Sequence, residues 1–166
     1  GLPDGAQDAI RNLWQWSNFG VTKTVYANLA VRFDDGVIKV VDDPGRGKVW
    51  LEMLHPGLIR EAEVDAVGHV QRAVIEYERL DEQTGRPYLY REEIDGERFA
   101  TYRVEADGTA QLWAYRRDAD GNPVAEWENV YGFVPLALAQ AETTGRAWGQ
   151  PPYHAVLDKV DQVNDL

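Results

Sequence analysis

The chain has 166 residues with 28 acidic side chains, 17 basic ones and no cysteine, and 44% of its residues are hydrophobic. This size predicts one domain with one core, and the composition excludes a disordered tail, a collagen-like repeat and a disulfide scaffold. The net charge of −11 opposes tight binding of DNA or RNA, because such binding depends on Lys and Arg displacing counterions from the phosphates.

The N-terminal part, residues 4–33, is predicted to begin with a helix. Asp4 is a residue type that caps helices, and the apolar side chains Ile10 and Trp14 follow at helical spacing. The segment 21–33 is ambiguous, because its apolar residues fit both a helical stripe and the alternation of a strand. Both interpretations of that segment stay open at this stage.

The central part, about residues 36–140, consists of short β-rich runs separated by turn signals. Residues 37–41 and 48–54 flank a Pro-Gly turn, which predicts a hairpin. Five more runs are bounded by glycine turns: residues 69–80, 88–94, 98–104, 110–117 and 124–129. This spacing is typical of an antiparallel meander. Residues 153–166 carry a helical stripe after two prolines and predict a last helix.

The prediction is therefore one α+β domain spanning residues 1–166, in which an antiparallel multi-stranded β-sheet meander is flanked by N-terminal and C-terminal helices. The sequence starts without Met and its last predicted helix stops with the sequence. We therefore expect the chain to be a fragment of a longer protein. No apolar stretch approaches the roughly 20 residues that a membrane span requires, so we expect no membrane partner.

The sequence offers no convincing catalytic or metal-binding motif. Carboxylate pairs such as Glu92-Glu93 and Asp34-Asp35 are predicted to be solvated surface or turn residues, because charged side chains are rarely buried. The segment 118–122 resembles the start of a calcium loop but lacks its glycine and its closing glutamate, so a hairpin turn is the better interpretation. We expect no enzyme activity, no metal and no cofactor.

The turn, glycine and proline positions of four segments carry a resemblance to a known family. Residues 35–59 hold an Asp-Gly strand and then a strand ending in a Pro-containing loop, and residues 68–77 form a long run ending in Tyr. Residues 129–136 match an Asn-x-x-Gly-x-x-Pro pattern, and the segment after Gly149 is similar to a helix that approaches a stem. Together these segments, over roughly residues 25–166, resemble the wing region of portal proteins of tailed bacteriophages or prophages.

The resemblance implies a structural, non-enzymatic function. Portal proteins form a ring, commonly a dodecamer, at one capsid vertex, through which a terminase packages double-stranded DNA and to which head-completion proteins attach. The expected partners are therefore neighbouring portal subunits, terminase and head-completion proteins. The expected location is the virion and, during assembly, the host cytoplasm. The DNA would pass through the full ring without being bound tightly by this acidic wing fragment, and residues 21–33 would be helical.

The tryptophans are the candidate interface residues. Of the six, Trp14, Trp16 and Trp148 lie near the ends of the sequence, and ring interfaces favour such aromatic anchors. We expect them to pack against the stem or a neighbouring wing.

Two other functions remain as alternatives: a carbohydrate- or small-ligand-binding β-domain with aromatic residues on a concave face, and, with less support, a carboxylate-dependent hydrolase. A deep cleft with convergent aromatic side chains, or two carboxylates about 5–10 Å apart, would favour these alternatives.

Overall fold

The computed structural model describes residues 4–140 of the chain. It begins with two helices, α1 (Asp4–Trp16) and α2 (Phe19–Phe33). The prediction of the first helix is confirmed, and the ambiguous segment 21–33 is helical, as the family resemblance implied. The helix predicted at 153–166 lies outside the described residues.

Eleven strands follow the helices in the described part of the chain. They are β1 (Asp35–Asp43), β2 (Lys48–Leu54), β3 (Ile59–Val64), β4 (Val70–Leu80), β5 (Pro87–Asp95), β6 (Arg98–Val104), β7 (Ala110–Leu112), β8 (Arg116–Arg117), β9 (Pro123–Val124), β10 (Glu126–Glu128) and β11 (Leu136–Gln140). A short 3-10 helix, Pro56–Leu58, joins β2 to β3. All strand pairs are antiparallel, which confirms the predicted α+β class.

The strands form three sheets where the sequence predicted one meander. One sheet has the order β11-β1-β2, the largest has the order β10-β6-β5-β4-β3 with β7 also pairing β6, and β8 pairs β9 as a two-stranded ribbon. The predicted β1–β2 hairpin is confirmed, with Val41 opposite Trp50. Strands β3 and β11 were not predicted.

The predicted strand 110–117 is wrong, because it breaks after Leu112. The backbone N–H of Trp113 donates to the carbonyl oxygen of Thr101, and the Thr101 hydroxyl lies 2.7 Å from the carbonyl oxygen of Trp113. On its other side, the Thr101 N–H donates to the carbonyl oxygen of Ala125. Thr101 thus lies where the edge of β6 changes its partner from β7 to β10. The chain after Leu112 forms the separate β8–β9 ribbon, and the predicted run 124–129 divides between β9 and β10.

One apolar cluster joins the three-stranded and six-stranded sheets. Its members come from β1, β2 and β11 on one side and from β3, β4, β5 and β6 on the other, with Val134 from the loop before β11: Val37, Leu54, Leu136, Ile59, Val70, Ala73, Ile75, Ile94, Phe99 and Val134. Burial of these side chains from water is the main stabilising term for the packed sheets.

The helical hairpin α1–α2 is attached to the three-stranded sheet. Its turn is at Asn18, whose backbone is left-handed (φ 48°), a conformation that Asn adopts more readily than most residues. The hydroxyl of Ser17 accepts a hydrogen bond of 2.8 Å from the backbone N–H of Leu51 in β2. The ring of Tyr26 lies against Gly36 in β1, where a Cβ atom would be 2.6 Å from the ring. These contacts fix the hairpin against β1 and β2.

Candidate functional site

The first candidate site is the apolar outer surface of the two helices. Trp14 is 49% exposed and Trp16 is 41% exposed, although the ring of Trp14 also contacts Phe19 with centroids 4.2 Å apart. The ammonium group of Lys48 lies 5.9 Å from the Trp16 ring centroid. Trp148, the third predicted interface residue, lies outside the described residues.

Helix α2 extends this apolar surface. None of its described residues is buried, and Val21 and Val31 are 62% and 63% exposed. A surface helix of a globular protein normally buries an apolar stripe against its core. On α1 and α2, residues 4–33, large apolar side chains instead remain uncovered by the described part of the chain: Ile10, Trp14, Trp16, Val21, Val25 and Val31. We call this set the helical apolar surface.

The second candidate site is a partly open cleft of about 470 Å³ to which all three sheets contribute. Aromatic side chains form much of its wall: Trp50, Tyr90, Phe99, Tyr115, Trp127 and Tyr131. Its volume is within the range of about 300–1,000 Å³ that is usual for small-molecule sites. Hence the convergent aromatic side chains that would favour a ligand-binding domain are present.

A buried ion pair lines this cleft. Lys39 in β1 donates a hydrogen bond through Nζ to Oε2 of Glu92 in β5, and the hydroxyl of Tyr90 donates to the same oxygen at 3.1 Å. Only 9% of Lys39 and 4% of Glu92 are exposed. Burial, followed by the nearby negative charge of Glu92, raises the pKa of Tyr90 far above its ordinary value. Tyr90 therefore stays a neutral hydrogen-bond donor.

The prediction that the carboxylates are solvated is wrong for Glu92, and also for Asp34 and Asp35, which are buried. Glu92 shares the inward face of β5 with Tyr90 and Ile94, because alternate residues of a strand point to the same side. Its charge is tolerated there because Lys39 compensates it. The alternation in β5 was the available signal, but the partner on a different sheet was not visible in the sequence.

At the mouth of the cleft, charged and aromatic side chains hold one another in place. The hydroxyl of Tyr131 donates to Asp42 at 2.6 Å, and burial together with this bond raises the pKa of Tyr131 to about 12. The guanidinium of Arg116 lies 4.2 Å from the ring centroid of Trp127, whose other contact is a parallel stack on Phe99 with centroids 5.2 Å apart. The rings of the cleft are therefore oriented by contacts within the protein.

The turn at 118–122 is a hairpin turn, as predicted. The Oδ1 atom of Asp118 accepts from the backbone N–H groups of Asp120 and Asn122, and these bonds hold the pKa of Asp118 below its usual range. Within residues 4–140, no three His, Asp or Glu side chains are grouped in a way that would hold a metal ion. Neither helix in this part of the chain has both the length and the apolar character that a bilayer-spanning helix needs.

Comparison of the chain with known proteins identifies no relative that would assign a role to either site. No protein-family model matches the chain, and none of the curated proteins matches its sequence.

Proposed function

We propose that this chain is a structural and assembly domain, the wing region of a portal protein of a tailed phage or prophage, and that it works without catalysis. The observation that carries the proposal is the helical apolar surface, whose six large apolar side chains are 41–63% exposed. Large apolar side chains that remain exposed together on one helical hairpin mark a candidate association surface. The resemblance of residues 35–59, 68–77 and 129–136 to portal proteins gives the class of assembly.

The pattern in the third of these segments has a structural explanation. Asn129 is buried, its Nδ2 donates to the carbonyl oxygens of Asp95 and Phe133, and its Oδ1 accepts from the N–H of Tyr131. Gly132 has φ 68°, which favours glycine. The Asn-x-x-Gly-x-x-Pro pattern therefore builds a fixed loop between β10 and β11.

The net charge is consistent with a wing that borders a DNA passage without binding the DNA tightly. The net charge of −11 repels a polyanion, and an acidic wall disfavours adhesion of DNA that must move. In this proposal the partners are neighbouring portal subunits, with terminase and head-completion proteins acting on the full ring, and the location is the virion and the host cytoplasm.

Sedimentation velocity over a wide concentration range tests the assembly function. We expect the wild-type chain to self-associate with rising concentration, and Val21→Glu and Val31→Glu to abolish this by placing a charge on the helical apolar surface. Val67→Glu is the matched control, because Val67 is 76% exposed in the turn between β3 and β4, away from the helices. Electron microscopy of the associated fraction then looks for annular particles. A chain that stays monomeric at all concentrations, or association that survives both variants, contradicts the proposal.

One observation favours the alternative of a ligand-binding β-domain, namely the cleft with its aromatic wall and buried ion pair. No residue of α1 or α2 lines the cleft in the described part of the chain. The two functions are therefore compatible in one protein.

A further inference from the structure

The charges of the cleft exclude an anion as its best ligand. Three cationic and five anionic side chains line it, so its formal net charge is −2. Each cation is engaged: Lys39 with Glu92, Arg46 with Asp43 at 3.4 Å, and Arg116 over the ring of Trp127. A phosphate or carboxylate would enter a cleft with an excess of negative charge, in which each cation already lies beside a partner.

A cation is also poorly matched, because most of the carboxylates are already compensated. Asp42 accepts from Tyr131, Asp43 from Arg46, and Asp118 from the backbone of its own turn. Glu92 accepts from Lys39 and Tyr90. A cation would gain little from carboxylates whose charge is shared with such donors.

The remaining hydrogen-bonding capacity fits a hydroxyl group. Both bonds to the Glu92 carboxylate end on Oε2, so Oε1 has no donor among residues 4–140. The ammonium group of Lys39 has three hydrogens, and one of them is used by Glu92. An unused acceptor and unused donors thus lie side by side, and a hydroxyl group can satisfy both at once because it donates and accepts.

We propose that the cleft binds a pyranose unit of a neutral saccharide, with adjacent hydroxyls on Lys39 and Glu92 and a C–H face of the ring against the aromatic wall. Sugar rings combine these two surfaces, and aromatic side chains such as Trp50 and Tyr131 offer an apolar body with a polar edge. Burial of the ion pair removes competing water, so its hydrogen bonds discriminate strongly between ligands. The site is independent of the helical apolar surface.

NMR titration of the ¹⁵N-labelled full chain tests this site. The probes are cellobiose, maltose, lactose and diacetylchitobiose, each raised to about 20 mM, a range that detects millimolar affinity. At least one of them should give saturable shifts of the indole N–H signals of Trp50 and Trp127. Sodium phosphate and arginine hydrochloride serve as anion and cation probes and should give no saturable shift there.

Two variants address the two halves of the proposed contact. Glu92→Gln removes a charged acceptor and should weaken binding about tenfold. Because this change also touches the bridge between the sheets, Tyr131→Leu removes an exposed ring at the mouth and should weaken binding about fivefold while leaving the ion pair intact. Trp113→Leu is the control, since Trp113 is an exposed aromatic residue outside the cleft.

Each result of these binding experiments either supports the saccharide site or overturns it. Absence of a saturable indole shift with all four disaccharides overturns the proposal, and so does saturation by phosphate or arginine, or equal weakening by Trp113→Leu and Tyr131→Leu. Co-sedimentation with cellulose and chitin powders distinguishes the source of the sugar: binding to a powder supports recognition of a polymer, and binding of the free disaccharide alone supports a soluble ligand. The monomeric Val31→Glu variant should keep the sugar response even if the assembly function fails.

Discussion

Lys39 and Glu92, which lie 53 positions apart in the sequence, form an ion pair that joins the three-stranded sheet to the six-stranded sheet. Both side chains are almost fully buried, and Tyr90 adds a second hydrogen bond to the same carboxylate oxygen. A buried pair of this kind contributes little net stability compared with apolar residues, but removing one partner leaves an uncompensated buried charge. The pair therefore disfavours any arrangement of the two sheets that would separate these two charges.

We expect Lys39→Met alone to lower the free energy of unfolding by about 3–5 kcal/mol, because it leaves the charge of Glu92 buried without a compensating charge. The double variant Lys39→Met/Glu92→Leu should be more stable than Lys39→Met, since both charges are then absent. Urea unfolding followed by tryptophan fluorescence measures the three values. Additive losses in the double variant would show that the two side chains are not coupled.

Ser17 is predicted to secure the helical hairpin on the edge of the three-stranded sheet. Its hydroxyl donates to the carbonyl oxygen of Leu13 and accepts from the N–H of Leu51, an N–H of the edge strand β2. Ser17→Ala leaves that N–H without a partner and should cost about 1–3 kcal/mol in the free energy of unfolding. The control Thr22→Val removes only contacts of 3.3 Å to backbone carbonyls and should cost less than about 0.5 kcal/mol.

Faster hydrogen exchange at the amide of Leu51 in Ser17→Ala would identify the lost contact directly, because exchange reports local opening. An unchanged exchange rate there would contradict the assigned role of Ser17.

Gly36 and Tyr26 give a second test of how the helices are attached. A methyl group at Gly36 would lie 2.6–2.9 Å from ring atoms of Tyr26, closer than van der Waals contact allows. Gly36→Ala should therefore cost about 1–3 kcal/mol by displacing α2 from β1. In a Tyr26→Ala background the same change should cost about 1 kcal/mol less, because the obstructing ring is absent. A double-mutant cycle by urea unfolding measures this coupling.

The parts of the fold that could be predicted are those determined by residues close together in the sequence. The spacing of Ile10 and Trp14 and the Pro-Gly turn between β1 and β2 depend on neighbours in sequence, so α1 and the first hairpin follow from the sequence alone. Strand β11 depends on pairing with β1 across about a hundred residues, and its apolar run begins directly after a proline. Long-range pairing of that kind leaves no local signal.

The candidate sites also contain residues that could be predicted from the sequence and residues that could not. Trp14 and Trp16 could be proposed as interface residues because they are aromatic residues near one end of the sequence and ring interfaces favour aromatic anchors. The ion pair could not, because the charge of Lys39 or Glu92 in isolation favours a surface position. The same applies to Thr101, whose hydroxyl bonds the carbonyl oxygens of Trp113 and Ala125 where β6 changes its partner from β7 to β10.

Acid should destabilise the fold through Asp81. Its carboxylate accepts from Arg103 at 2.6 Å and from the N–H of Thr84, and these bonds, with Arg103 the largest contributor, hold the pKa of Asp81 well below its usual range. Because the folded pKa is lower than the unfolded one, the bonds stabilise the fold above about pH 4 and this contribution is lost as the pH falls further. Asp81→Asn should therefore lower Tm at pH 7 and flatten its decline from about pH 4 to pH 2. Calorimetry across this range, with Asp120→Asn as the exposed control, measures both slopes, and identical slopes for the wild type and Asp81→Asn would refute the assignment.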